Sequence, residues 1–160
     1  MKFLAIALAA LLLPVGYAEA APAKIVVFDF YLDNTSMEKT TVAETARLKR
    51  ISDELRAALQ KSGQYEVARG ADVQSAAVQS FGTCSDEERA AAIKAGGTLI
   101  ACPWVQKVSN LILNLNVFVQ DLKTGKTTKG GSVDIRGNDD DSWDHGVRFL
   151  VKEHIFPETK

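Results

Sequence analysis

Asn138-Asp139-Asp140-Asp141, followed by Asp144 and His145, is the densest group of hard oxygen donors in the chain. The carboxylates of Asp139, Asp140, Asp141 and Asp144 could together hold Ca²⁺ or a similar ion. The cluster departs from an EF-hand loop, because the turn glycine is missing and Phe149 stands where the bidentate Glu belongs. Helix capping and a solvated turn explain the same residues. Cys84 and Cys102 are the only cysteines. With no His or further Cys close by in sequence they fall short of a zinc pattern, and in an oxidising compartment they read as a disulfide. A helix over Asp86–Ala95, a Gly96-Gly97 turn and a returning strand bring Cys102 back to the level of Cys84.

Other groups invite chemistry less strongly. Asp29 interrupts the apolar run Lys24–Tyr31 and needs a partner, for which Arg136 or Lys107 would serve across the sheet. Asp33-Asn34-Thr35-Ser36 forms a polar turn at a strand end, a place where α/β sheets often meet ligands. His145 and His154 lie nine apart, on different helix faces, and neither has a Ser or Cys nucleophile pattern beside it. The chain carries no nucleophile elbow, P-loop, dinucleotide fingerprint or HExxH, so neither an enzyme nor a cofactor is indicated.

Lys2, the apolar run Phe3–Leu13 and the small-x-small step Ala18-Glu19-Ala20 read as an export signal, with the mature chain starting at Ala21. The expectation is a periplasmic protein with a leader over 1–20 and one globular domain over 21–160, not inserted in a membrane after cleavage. The whole chain carries 19 basic and 20 acidic residues. That near-balance gives no electrostatic reason for a nucleic-acid partner.

The elements that must position these residues follow from periodicity. Lys24–Tyr31 is apolar on both faces, as a central strand requires. Leu48, Ile51, Leu55 and Leu59 form one stripe of a helix over Thr41–Ser62, which Gly63 ends. Tyr65–Ala68 is a short strand, Ala71–Gln79 is weakly helical, and Thr98–Val108 is a third strand. The pattern predicts an α/β (α+β) fold: a five-stranded mixed sheet with a β-α-β-α-β front half, an antiparallel meander and a C-terminal helix. In that helix, over Ser142–Phe156, Trp143, Val147, Leu150, Val151 and His154 make the stripe and Asp141 or Ser142 the cap.

The meander allows a register to be argued. A two-residue turn at Ser109-Asn110 pairs Val108 with Leu111, Gln106 with Leu113, Trp104 with Leu115 and Cys102 with Val117. A second turn at Lys123-Thr124-Gly125 pairs Leu115 with Val133 and Leu113 with Ile135. Both registers put Leu113, Leu115 and Val117 on one buried face. Trp104 joins that face, and Trp143 packs on the helix stripe. The opposite face then carries Val105, Lys107, Ile112, Asn114, Asn116, Phe118, Ser132, Asp134 and Arg136. It is either a solvated surface or a recognition surface.

FDFYLDNTS, WVQKVSNLILNLN and SVDIRGNDDDSW together resemble a family of small exported bacterial proteins of unknown function, across nearly all of the mature chain. GGTLIACPWVQKVSN with LNVFVQDLKTGK is similar to a wider fold group. That group includes the amino-terminal domain of the Tol-Pal propeller protein, the curli secretion lipoprotein and lipoprotein activators of penicillin-binding proteins. The resemblance implies a mixed sheet packed by helices and a binding role in the cell envelope. It supplies no catalytic residues, and the lipid-attachment cysteine of those lipoproteins is missing. The expected function is a soluble, non-enzymatic accessory domain that binds another periplasmic or envelope protein through Lys107, Asn114, Asn116, Asp134 and Arg136. The alternative is a small-ligand or metal-binding protein using the acidic turn or the strand-end cluster.

Overall fold

The apolar first strand and the single stripe of the long helix require a sheet buried beneath helices. The computed structural model describes residues 21–70 and 84–157. The leader read over 1–20 and the weak helix read over Ala71–Gln79 lie outside these residues. β1 (Ala23–Val27) and β2 (Tyr31–Asn34) continue one line of chain across a break at Phe28–Phe30. β4 (Leu99–Ala101) and β5 (Trp104–Ser109) do the same across Cys102-Pro103. Pro103 has no N–H for a ladder, so the strand is interrupted there. The two breaks face each other, because β1 pairs parallel with β4 and β2 pairs parallel with β5.

The backbone stays satisfied through the break. The Phe28 N–H donates to the Ala101 carbonyl and the Tyr31 N–H to the Pro103 carbonyl. The Phe30 N–H donates at 2.8 Å to Ser52 Oγ, from helix α1 (Val42–Lys61). β3 (Tyr65–Arg69) lies parallel beside β1, and β6 (Ile112–Asp121) runs antiparallel to β4 and β5. Among the described residues β7 (Thr127–Ile135) pairs only with β6 and forms an edge, as β2 and β3 do on the other side of the sheet. The architecture is the expected mixed α/β sheet, in which two long strands are each split, giving seven segments where five strands were read.

Both faces of the sheet carry core. On the first, Ile51, Leu55 and Leu59 of α1 and Trp143, Val147 and Leu150 of α3 (Asp140–Leu150) pack against Ile25, Val105, Leu113, Leu115 and Val117. α3 runs on into a π-helical turn, Val151–Ile155, that buries Ile155. On the second face, α2 (Asp86–Lys94) sets Ala92 against Val26, Phe28, Ile100, Cys102 and Leu122. Within the described residues the expected helices are present with their starts moved slightly: α1 starts after Thr41 and α3 after Asp139, not Asp141 or Ser142.

The second hairpin has the predicted register, with Leu115 opposite Val133 and Leu113 opposite Ile135. Gly125 at φ +71° supplies the left-handed turn residue. The first hairpin is off by one. Ser109 pairs with Ile112 and Lys107 with Leu113, and the register shifts between them, leaving Val108 as the extra residue of a bulge. A one-residue slip moves every side chain to the other face. Val105 and Lys107 therefore join the first core, while Trp104 and Gln106 stand opposite Asn116 and Asn114 on the second face. Alternation misled here because Ile100, Cys102 and Trp104 are also buried, on that second face.

Two glycines set how closely α3 and the π-helical turn approach β7. A Cβ on Gly146 would lie 2.8 Å from Ile135 Cγ2 and 3.1 Å from Leu115 Cδ2, and one on Gly131 would collide with the His154 ring. Gly146→Val should lower stability by about 1–3 kcal/mol through overpacking, read as a lower denaturation midpoint at unchanged slope. Gly63→Ala, with open space around its Cβ but φ +70°, should cost only about 1 kcal/mol. A Gly146→Val chain as stable as the wild type would refute the close-packing account.

Candidate functional site

The second face is built from rows of paired residues. Tyr31, Trp104, Asn116 and Ser132 lie in one register line across β2, β5, β6 and β7. The Tyr31 and Trp104 rings stack with centroids 6.4 Å apart, and Trp104 and Phe118 stack at 5.8 Å. Burial, then the charges of Asp33 and Glu88, push the Tyr31 phenol up to about 12, so it stays protonated. Asn114 Nδ2 donates to Asp134 Oδ1 at 2.8 Å. Asn116 Nδ2 donates to the Asn114 carbonyl, while Asn116 Oδ1 accepts from the Ser132 hydroxyl. Asn116 is only 5% exposed, so its amide is a member of the sheet's own network and not an open contact. Asn114 is half-buried, and Asp134 and Arg136 are exposed.

Lys107 is the clearest correction among the predicted contact residues. It is 1% exposed on the first face. Its Nζ lies 2.7 Å from Glu44 Oε1 and 3.2 Å from Glu38 Oε2. Glu44, itself fully buried, also accepts from the Thr41 N–H at 2.6 Å and from Asn138 Nδ2 at 2.7 Å. Burial raises the Glu44 pKa, but the bonds from Lys107, Thr41 and Asn138 outweigh it and hold the group at about 2. Burial likewise lowers Lys107, and its bonds to Glu44 and Glu38 raise it further, leaving a net increase.

The acidic turn is occupied by protein partners. Asp139 caps α3 by accepting from the Ser142 N–H at 2.8 Å, the contact that most lowers its pKa. Asp140 accepts from Arg47 Nε at 2.7 Å and Asp144 from Arg50 Nε at 2.8 Å. Asp141 is exposed at the edge of a groove. The turn thus fastens α3 to α1 and does not converge on an ion. Among the described residues, the one trio of ligand-type side chains brought together is Cys84, Glu88 and Cys102, their donor atoms within 4.8 Å of one another. The two cysteines form the predicted disulfide, with Cα atoms 5.4 Å apart.

The remaining sequence candidates are structural. Asp29 sits at the β1–β2 break and pairs with Arg56 Nη1 at 2.6 Å and with Arg69, not with Arg136 or Lys107. Asn34 closes its own turn, accepting from the Ser36 N–H and hydroxyl and donating to the Glu38 carbonyl. Thr35 donates to the Lys107 carbonyl. His154 packs against Phe149, edge to face at 6.1 Å. Trp143 is core, as expected, with Nε1 donating to Asn138 Oδ1 at 3.0 Å. Trp104 belongs to the second face and not to the first.

Among the described residues, the outer edge of β7 stands open beside α3. Along it, Asp134 and Arg136 face Asp141, His145, Arg148 and Phe149 of α3 across a groove of about 570 Å³. Gly146 lines it too, where a side chain would collide with Ile135. The Ser142 hydroxyl donates to the Arg136 carbonyl, so it is not aligned on His145 as a nucleophile. Sequence reasoning missed Glu44 and Glu88. Both are the third helical residue of a Thr/Ser-x-x-Glu capping box, a legible signal at Thr41 and Ser85.

A family described as "Protein of unknown function (DUF2380)", named DUF3280, matches residues 23–155. The chain belongs to this family. No curated protein matches the sequence. The DUF3280 fold is similar to the PelC dodecamer of Paraburkholderia phytofirmans in one crystal form at 10% identity and TM-score 0.51, covering 85% of this chain and 90% of that one. In a second crystal form a point variant of the same PelC dodecamer gives 14% identity and TM-score 0.50 over 85% and 87%. The C-terminal domain of LpoB from Salmonella enterica is similar at 14% identity and TM-score 0.48, covering 74% and 86%. Among the described residues, no helix is long and apolar enough to cross a membrane.

The Glu44–Lys107 pair makes a pH prediction for the DUF3280 chain. A carboxyl lowered from 4.5 to about 2 on folding stabilises the native state fully above its unfolded pKa, and that stabilisation is lost as pH falls toward 2. The loss amounts to roughly 3 kcal/mol. Urea unfolding between pH 6 and 2 should therefore show the wild type converging on Glu44→Gln, with the gap closing below about pH 4.5. Lys107→Ala, which strands Glu44 without its cation, should lose about 3–5 kcal/mol at pH 7. A pH-independent gap between wild type and Glu44→Gln would rule out the ion-pair account.

Proposed function

We propose that the protein is an exported, periplasmic, non-enzymatic accessory domain that binds another periplasmic or envelope protein along the β7 edge. The observation that carries this reading is the groove beside an edge strand. Among the described residues β7 has strand pairing on one side only, and its unpaired side opens beside the exposed side chains of α3. An extended segment of a partner laid there would gain main-chain hydrogen bonds from the edge and side-chain contacts from Phe149, Arg136 and Arg148. Asp134 and Arg136, two of the residues expected to make contact, lie on this groove. Asn114 reaches it only through its hydrogen bond to Asp134, Asn116 contributes only support, and Lys107 plays no part in binding.

The export reading rests on the residues of 1–20, and the disulfide in the exported part accords with it. The resemblance to envelope binding modules points in the same direction. Nothing in the groove supplies a matched nucleophile and base, which favours binding over turnover.

A photo-crosslinking amino acid placed singly at Arg136, Phe149 and Lys94 in the exported chain would test the surface. Arg136 and Phe149 line the groove, whereas exposed Lys94 lies on α2 across the sheet. Irradiated cells should yield one discrete adduct of the same mass from positions 136 and 149 and none from 94. No adduct at 136 and 149, or the same bands from Lys94, would remove the reading.

A further inference from the structure

We infer that, in its dithiol form, the chain has a buried Zn²⁺ site made by Cys84, Cys102 and Glu88, and that this site and the disulfide exclude one another. The two sulfurs and a carboxylate oxygen of Glu88 lie within 4.8 Å of each other, although Cys102 is eighteen residues from Cys84 and in another part of the fold. A tetrahedral zinc with bonds of about 2.3 Å to sulfur and 2.0–2.2 Å to carboxylate oxygen needs its donors roughly 3.3–3.8 Å apart. With Cα atoms 5.4 Å apart, rotation of the cysteine side chains covers the difference without moving either backbone segment. Cys84, Glu88 and Cys102 are 8%, 5% and 6% exposed, so solvent reaches the site only at its margin.

Local structure already fixes the third ligand. Glu88 Oε2 accepts from the Ser85 N–H at 2.8 Å, and Ser85 Oγ accepts from the Glu88 N–H at 3.2 Å. The capping box holds the carboxylate in the first turn of α2, which begins directly after Cys84 and Ser85, so the donor geometry is set before any ion arrives. Two thiolates and a carboxylate around Zn²⁺ carry a net charge of −1, which the amino-terminal end of the α2 dipole favours. Two soft donors and one hard one suit zinc better than the oxygen-seeking Ca²⁺ or Mg²⁺.

The chemistry balances without an added redox partner on the binding side. Each of the two thiols loses a proton to solvent as two Zn–S bonds and one Zn–O bond form, and a water completes the tetrahedron. The competing fate is exchange with an external disulfide: two protein S–H bonds are lost, the Cys84–Cys102 bond forms, and the donor leaves as a dithiol. Zinc occupancy therefore holds the pair reduced, and oxidation closes the site.

The test uses the full chain, oxidised and phosphine-reduced, titrated with Zn²⁺ alone and followed by competition with a chromophoric chelator and by circular dichroism. The reduced chain should bind one equivalent and the oxidised chain none. Co²⁺ in place of Zn²⁺ should give a sulfur-to-metal charge-transfer band. Glu88→Gln keeps the capping box, since Gln serves at that position as well as Glu. It should retain the charge-transfer band and weaken zinc binding roughly 10-fold or more. Bound Zn²⁺ should also slow re-oxidation by added disulfide. If reduction unfolds the chain, one equivalent of Zn²⁺ should restore the native spectrum. Failure to refold, binding no tighter than that of the oxidised chain, or unchanged affinity in Glu88→Gln would each overturn the assignment.

Discussion

Lys107 and Glu44 are both withdrawn from water, and the rest of the fold is arranged around the need to keep them together. A buried ammonium or carboxylate costs several kcal/mol unless it is paired and its remaining hydrogen-bond capacity is met. Here the 2.7 Å contact between them is supplemented by Glu38, Thr41 and Asn138. Each of these comes from a different place: the β2–α1 loop, the α1 cap and the turn before α3. Asn138 extends the network to Trp143 Nε1 and to Arg47 Nη1. One ion pair in β5 thus sets where α1 begins, where α3 begins and how the two lie over the sheet. It also fixes the register, because any slip of β5 that turned Lys107 outward would leave Glu44 as a buried charge with no cation.

That register decides what the two faces can do. With Val105 and Lys107 directed into the first core, Trp104 must face the other way, where Tyr31 and Phe118 stack beside it. The second face is therefore no solvated reverse side. α2 covers it near Ile100 and Cys102, and an aromatic and amide network continues it toward β7. Asn116 is consumed by this network. In the proposed function recognition therefore falls to β7, which among the described residues, like β2 and β3, has a ladder partner on one side only and which lines the groove beside α3.

The sequence was legible wherever one periodicity had one explanation. Leu48, Ile51, Leu55 and Leu59 could belong only to a half-buried helix, and Leu113, Leu115 and Val117 only to a buried strand face. Gly63 and Gly125 marked left-handed stops. The Cys84–Cys102 bridge followed from helix rise against strand rise. Legibility failed in β4–β5, where both faces are buried and alternation carries no sign. There Val108 was free to bulge, and nothing local announced it. The acidic turn, which reads equally as a helix cap or a metal candidate, hid its partners for a related reason. Its partners, Arg47 and Arg50, are more than ninety residues away and lie on the half-buried flank of a helix whose stripe said nothing about them. The capping-box glutamates were visible in the sequence, but their second roles, toward Lys107 and toward the sulfurs, depend on which strands lie beneath each helix start.

α2 shows how a weak element is kept in place. It buries only Glu88 and Ala92, too little apolar surface to hold a nine-residue helix against a sheet by packing alone. Three local devices substitute for a stripe. The Ser85–Glu88 capping box satisfies the first donors of the helix, and Gly97, whose Cβ would lie 2.7 Å from Val26 Cγ2, lets the return chain press onto β1. The Cys84–Cys102 bond ties the helix start to the end of β4, and closing a loop of this length is worth about 3 kcal/mol. The covalent tie therefore carries a share of the anchoring that α1 and α3 obtain from leucines and tryptophan. It follows that the thiol–disulfide state of this one pair acts first on α2 and the second face, while the core under α1 and α3 is held by contacts that do not involve it.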